Sequence, residues 1–225
     1  MNKKISDKKY SNSGNNNIIS NVPRSAKYIL DLGCGTGDIA KILFANGKII
    51  DGVTISQGEA ELAKKYCRSI VVQDLANGLP LQFSNKYDAI ICSHVLEHIV
   101  YPQKLLEDVK EVMVPNNTIL LIAIPNLLVY KNRLKILFGE FNYEKEGLMD
   151  YTHVRWYTFK SINKLLKDAG FEIEKAWVDG GIPFQSYLNF LSENQKASIK
   201  KMLFSISKGF FGGEILCIAK LREID

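Results

Sequence analysis

The chain has 225 residues, a length that one domain can fill while burying a sizeable core without disulfides or structural metal. Hydrophobic residues make up 46% and charged residues 24%, which excludes a wholly disordered, collagen-like or coiled-coil chain. The net charge of +5 sits at one end, since residues 1–27 carry Lys3, Lys4, Lys8, Lys9, Arg24 and Lys27 against Asp7, and the remaining 23 basic and 23 acidic residues cancel.

From residue 1 to about 25 the sequence is polar and low in complexity, with SNSGNNN at 11–17. Such a stretch holds too little apolar content to offset its ordering entropy, so it is expected to form a flexible basic arm able to close over a site. Residues 26–225 form the expected single domain. Short apolar runs at 28–32, 49–53, 69–72, 87–92 and 118–124 alternate with helical patterns at 38–46, 57–66, 102–113 and 159–169. That alternation is the signature of βα units stacked into a parallel sheet. Gly170 is placed to cap a helix, and the strands FEIEKAWV and EILCIAKL follow as a pair. Two insertions interrupt the pattern. One, at about 125–157, is rich in aromatic and charged residues and reads as a lid; the other, at about 181–212, is helical in its middle and is a candidate lid or homodimer surface.

No stretch approaches the roughly 18 uninterrupted apolar residues of a membrane span, and the Lys/Asn/Ser-rich start lacks the apolar core of a secretory signal. A cytoplasmic location is the expectation. Cys34, Cys67, Cys92 and Cys217 are scattered singly without CxxC spacing, so they read as reduced thiols. The neutral body argues against a nucleic-acid partner.

The strand YILDL runs straight into GCGTG and then into the helical pattern DIAKILFANG. Gly33, Gly35 and Gly37 allow a tight turn and close backbone approach at a helix N-terminus, in the crevice where open α/β sheets bind ligands. The spacing is GxGxG and not the GxGxxG of dinucleotide binders. Asp31, just before the loop, would repel a pyrophosphate and suit an ammonium group, so a cationic amino-acid cofactor fits better than NAD.

DLGCGTG after a strand resembles the first motif of class I S-adenosylmethionine-dependent methyltransferases. The resemblance covers about residues 26–180 and the last strand, and it implies a Rossmann-like α/β fold: a seven-stranded, mostly parallel sheet with an antiparallel last strand and helices on both faces. It also implies S-adenosyl-L-methionine as cofactor. At the end of the second strand the family places an acidic residue for the ribose hydroxyls, whereas this sequence reads GVTIS; similar segments in family members imply that Thr54, Ile55 and Glu59 contact the cofactor. VQDLANGLPL resembles the adenine site, with Asp74 accepting from the adenine amino group and Leu75 offering its backbone amide. YDAIICSHVLEHI resembles the fourth strand and its exit loop, where Ser93, His94 and Val95 would line the mouth. Asn116 and Asn117 stand where the family carries a Gly-Gly turn, which Asn tolerates because it visits positive φ. GLMDYTHVRWYT resembles the lid of a subgroup of bacterial small-molecule methyltransferases often linked to surface-polysaccharide modification.

Methyl transfer to a hydroxyl is an in-line displacement that needs positioning and loss of a proton, so a base is worth seeking. The three histidines, His94, His98 and His153, all fall in segments that border the carboxyl ends of the strands. His153 is the first candidate base and His98 the second. Asp150 could orient His153, and Arg155 could hold an anionic acceptor. A hydrogen-bonded lid hinge is the bland alternative for this set, and packing is the bland reading of Trp156 and Tyr157. Glu97 and His98, with His94 one turn earlier, could form a metal cluster, but the resemblance requires none and no metal is assigned. The expected activity is O-methylation of a sugar, nucleotide sugar or phosphorylated metabolite. Rival readings are a quinone, amino-acid or nucleic-acid methyltransferase, a non-catalytic cofactor-binding module, and an NAD-dependent oxidoreductase.

Overall fold

The structure, a computed structural model, describes residues 14–83, 87–181, 183 and 187–223. Seven strands form one sheet: β1 (Tyr28–Leu32), β2 (Ile49–Thr54), β3 (Ser69–Val72), β4 (Ala89–Ser93), β5 (Ile119–Pro125), β6 (Phe171–Asp179) and β7 (Glu214–Leu221). Their order is β3-β2-β1-β4-β5-β7-β6. The neighbours from β3 to β5 pair in parallel, and β7 runs antiparallel to both β5 and β6. This is the expected fold class.

The central strands are apolar almost without interruption because both their faces are covered. Along β1, Leu30 and Leu32 pack on one face in the cluster with Ile90, Leu120, Leu106 and Phe171, while Ile29 packs on the other with Ile91, Ile39 and Leu43. The first face is covered by the helices Pro102–Glu111 and Phe159–Asp168, the second by the helix Asp38–Ala45. Local signals set the helix starts. Pro102 opens its helix at a position where no N–H is missed, and Thr158 and Ser161 form a reciprocal capping box. Asn116 takes φ 59° in the turn before β5, the conformation expected where a glycine pair is replaced.

The expectation of a loose arm through residue 25 is corrected for residues 14–25; residues 1–13 lie outside the described residues. A short helix, Asn16–Ile19, is capped by the Asn15 side chain, which accepts from the N–H groups of Asn17 and Ile18. Ile18 is fully buried and Val22 and Ala26 are buried beside it, on the face that carries Ile29 and Ile91. Two apolar residues in a polar stretch are enough to anchor it, and local composition hid them.

The two insertions differ. Residues 125–157 hold a helix, Tyr130–Leu137, and return beside β5 through the Asn126–Tyr157 bridge. In the second, the helices Glu193–Ile206 and Lys208–Phe211 bury no residue completely and leave Tyr187 and Phe190 exposed. Among the described residues no helix is long and apolar enough to cross a membrane.

Because Ile18 fills a closed space, Ile18→Ala is expected to lower the unfolding free energy by about 2–5 kcal/mol in urea titrations. A change below about 0.5 kcal/mol, the level of an ordinary surface substitution, would show that this segment is not part of the folded body.

Candidate active site

The strand order reverses between β1 and β4, so the chain leaves these two strands in opposite directions and a crevice opens at their carboxyl ends. β1 ends at Leu32 and turns at once into the Asp38–Ala45 helix through Gly33, Gly35 and Gly37, with φ of 74°, 52° and 86°. A Cβ on Gly33 would stand 2.5 Å from Val95 Cγ2, and one on Gly37 would stand 2.9 Å from Ala63. Neither space nor φ admits a side chain at these two positions.

Asp31 lies below this loop with 1% exposure, and its Oδ2 has no hydrogen-bond partner. Burial pushes its pKa up to about 7. The nearby thiols of Cys34, Cys67 and Cys92 are raised by burial in turn and stay neutral, so nothing there balances a carboxylate. The group is short of one cation.

Above it a cavity of about 600 Å3 opens. Gly33, Gly35, Thr54, Ile55, Glu59, Asp74, Leu75, Ser93 and His94 line one part of it, and His98, Asp150 and His153 line another. Of the residues singled out in the sequence, Asp31, Gly37 and Arg155 are not on its wall. Thr54 Oγ1 donates to Glu59 Oε2 at 2.5 Å. The helix after β2 therefore brings a buried carboxylate to where a strand-end acid is missing. Asp74 caps the short turn Leu75–Asn77, accepting the Ala76 N–H at 2.9 Å. Ser93 Oγ is buried without a partner.

The opposite wall is built on the turn Leu96–His98 and the lid segment 146–154. His94, at φ 55°, bridges two carboxylates: Nδ1 to Glu97 Oε1 at 3.2 Å and Nε2 to Glu214 Oε1 at 2.9 Å. Burial alone would lower its pKa, but the bonds to Glu214 and Glu97 outweigh that and lift it to about 10, so it is an imidazolium donating from both nitrogens. Burial disfavours the Glu97 carboxylate, yet the bond from His94 holds its pKa below the usual value. Burial lowers the pKa of His98. His98 Nδ1 donates to the Thr152 carbonyl at 3.2 Å and His153 Nδ1 to the Leu148 carbonyl at 2.9 Å. Carbonyls only accept, so each ring donates from Nδ1, and a neutral ring held this way has its lone pair on Nε2.

Two expected roles change. Asp150 does not orient the His153 ring; its Oδ1 accepts from the backbone and hydroxyl of Thr152, and the Leu148 carbonyl orients the ring instead. Arg155 donates from Nε to the Val100 carbonyl at 2.7 Å, outside the cavity, and fastens the lid's return rather than facing an acceptor. Trp156 stacks among Phe141 and Tyr143 in the lid itself. Among the described residues of the insertion at 181–212 none lines the cavity, whereas Glu146, Gly147, Leu148, Asp150, Thr152, His153 and Val154 of the insertion at 125–157 do. Sequence reasoning missed Glu214 and Gln73. For Glu214 a signal was present: an antiparallel last strand must begin at the edge where the parallel strands end, and Glu214 pairs with Pro125 there.

The site fits S-adenosylmethionine on its own chemistry. The orphaned Asp31 carboxylate asks for a cation such as the amino-acid ammonium, the glycine loop lets a ligand approach the backbone, and Glu59 and Asp74 offer acceptors for hydroxyl and amino groups.

The methyltransferase domain family matches residues 10–176. A ubiquinone biosynthesis O-methyltransferase of Coxiella burnetii is 25% identical over 143 residues, covering 60% of this chain and 59% of that protein. One from Histophilus somni is 24% identical over 102 residues, covering 41% and 43%. The chain thus spans about half the length of the curated relatives it matches. Among solved structures, a methyltransferase from Archaeoglobus fulgidus superposes with TM-score 0.63 at 20% identity, covering 88% of this chain and 87% of that one. One from Methanosarcina mazei gives TM-score 0.63 at 20% identity, covering 93% and 100%. The chain belongs to the methyltransferase domain family, with S-adenosylmethionine as its cofactor.

Proposed function

We propose that this chain methylates an oxygen of a small, uncharged, hydroxyl-bearing molecule. The observation that carries the reading is the single cavity with two chemically distinct ends, one built to hold the cofactor and one lined by His98 and His153. The bound cofactor supplies an electrophilic methyl carbon on a sulfonium, whose C–S electron pair stays on sulfur while the acceptor's O–H proton is lost. Asp31 and Glu59 position the amino-acid and ribose portions, and Asp74 and Leu75 take the adenine. Gly147, Leu148 and Val154 of the lid cover the acceptor end and limit water there. In the chain alone, His153 Nε2 is the proton acceptor, with His98 beside it at 4.8 Å between ring centroids.

A sugar hydroxyl of a surface-glycan pathway is our first acceptor class. Among the described residues no Lys or Arg lines the cavity, and the His94 imidazolium is already paired with Glu97 and Glu214, which speaks against the phosphorylated members of that class. A quinol is the second reading. The names of the ubiquinone O-methyltransferase relatives favour it, as does the apolar side chain of Val154, which lines the cavity and is about half exposed.

Two outcomes are expected. Affinity for S-adenosylhomocysteine in calorimetry should rise between about pH 6 and about pH 8, because Asp31 must be ionised to pair with an ammonium and its pKa is about 7. In Asp31→Asn the affinity should be flat over that range and at least about tenfold weaker at the upper end, a loss of about 1.4 kcal/mol; an unchanged, equally pH-dependent variant would contradict the assignment. His153→Ala should lower kcat by about 100-fold or more with little change in S-adenosylhomocysteine affinity, and full turnover would remove His153 from the chemistry.

A further inference from the structure

We propose that the two insertions together form a docking face for an anionic lipid surface. The inference does not depend on the acceptor reading above. The outward side of the helix Tyr130–Leu137 is apolar. Asn132 is its buried residue, and Tyr130, Leu134 and Leu137, at i, i+4 and i+7, share a stripe on the side turned away from Asn132. Leu137 and, just past the helix end, Phe138 are 76% and 77% exposed. An ordinary surface helix sets its apolar stripe on the body and its charges in water, so the pattern here is inverted. The helix Glu193–Ile206 repeats it: it buries no residue completely, and Met202 and Ile206, one turn apart, are both more than half exposed.

The two insertions are packed on each other. Tyr130 meets Phe210 with ring centroids 6.3 Å apart, and the Arg133 guanidinium lies over the Phe210 ring at 5.3 Å. Asn126 donates from Nδ2 to the carbonyls of Gly209 and Gly212. The helix after β5 is thereby fastened to the end of the second insertion, shortly after Ile206.

Charge identifies the occupant. The helix Tyr130–Leu137 carries Lys131, Arg133 and Lys135 and no acid, and the helices Glu193–Ile206 and Lys208–Phe211 carry Lys196, Lys200, Lys201 and Lys208 against Glu193 alone. Seven basic residues stand against one acidic residue here, although residues 28–225 hold 23 of each. Ion pairs with Glu144, Glu193 and Asp179 engage Lys135, Lys196 and Lys200, and Lys131, Arg133, Lys201 and Lys208 add positive charge beside the apolar side chains. A second copy is a poor occupant, since a symmetric dimer would set the same basic patches against each other and lysine is depleted from protein interfaces. Nucleic acid would answer the charge but leave Leu134, Leu137, Met202 and Ile206 in water. An anionic bilayer meets both needs: apolar side chains enter between the headgroups, while lysine and arginine stems lie along them and reach the lipid phosphates. The first insertion also supplies the cavity wall from Glu146 to Val154, so a docked chain holds its acceptor end on the same element that touches lipid.

The test mixes the full chain with vesicles of phosphatidylglycerol and phosphatidylcholine and, in parallel, with vesicles of phosphatidylcholine alone, and measures the fraction that sediments. Binding to the anionic vesicles is expected to be at least about tenfold stronger and to weaken as salt is raised. The pair Lys131→Glu and Lys201→Glu, and the pair Leu137→Ser and Phe138→Ser, should each lower it by about tenfold or more. All four side chains are exposed and lie outside the cavity wall, so both variants should bind S-adenosylhomocysteine as the parent does, which shows them folded. No sedimentation, equal binding to both vesicle types, or variants that bind like the parent overturns the proposal. So does a dimer in light scattering that the Leu137→Ser and Phe138→Ser pair dissolves, because a second copy would then cover the face. A parent chain that sediments with the anionic vesicles but refuses S-adenosylhomocysteine supports the docking face and overturns the proposed function.

Discussion

The carboxylate of Asp31 is the constraint around which the site is organised. It stands one residue before the end of β1, flanked in register by Gly52 on β2 and Ile91 on β4, with one oxygen unsatisfied. Leaving a buried acceptor unpaired costs stability, and ionising it there costs more. Under the proposed pairing of Asp31 with the cofactor's ammonium, binding removes that penalty and links cofactor affinity to the stability of the sheet. The glycine loop lies above it, and Gly33 passes so close to Val95 that a methyl group would not fit, so only bare backbone can turn there.

The second organising feature is the reversal of the last strand. Because β7 runs against β5, its first residue comes to the edge where the parallel strands end, and Glu214 meets His94 there. Asn15 donates to the same Glu214 carboxylate at 2.7 Å, so the N-terminal segment, the fourth-strand exit and the last strand converge on one charged knot. The lid is joined to the same region. The N–H groups of Val154 and Arg155 both donate to the Glu97 carbonyl, at 2.9 and 3.0 Å, which ties the returning lid to the Leu96–His98 turn. Ser93, His94, Val95, Glu97 and His98, all from one short stretch, thus line the cavity together.

Much of this was legible in the sequence. Strands β1, β3 and β7 have the bounds their apolar runs suggest, and for β1 and β7 the reason is burial on both faces, which leaves a nearly continuous apolar signature. The glycine spacing with Asp31 before it pointed to the right kind of ligand, and Thr54, Glu59 and Asp74 do line the cavity. What composition could not show was tertiary. Ile18 and Val22 anchor a stretch that reads as polar, because two well-placed side chains outweigh an average. The histidines were visible, but their orienting partners are the carbonyls of Thr152 and Leu148, and a backbone carbonyl leaves no mark in a sequence. Arg155 looked like an anion holder beside His153 and instead faces away to Val100.

The most direct test of the account is calorimetric titration of the purified chain with S-adenosylhomocysteine, with NAD as the parallel control, because it needs no knowledge of the acceptor. The account predicts binding of S-adenosylhomocysteine alone with a dissociation constant of about micromolar order, near 8 kcal/mol. Binding of NAD alone, or of neither, would contradict it.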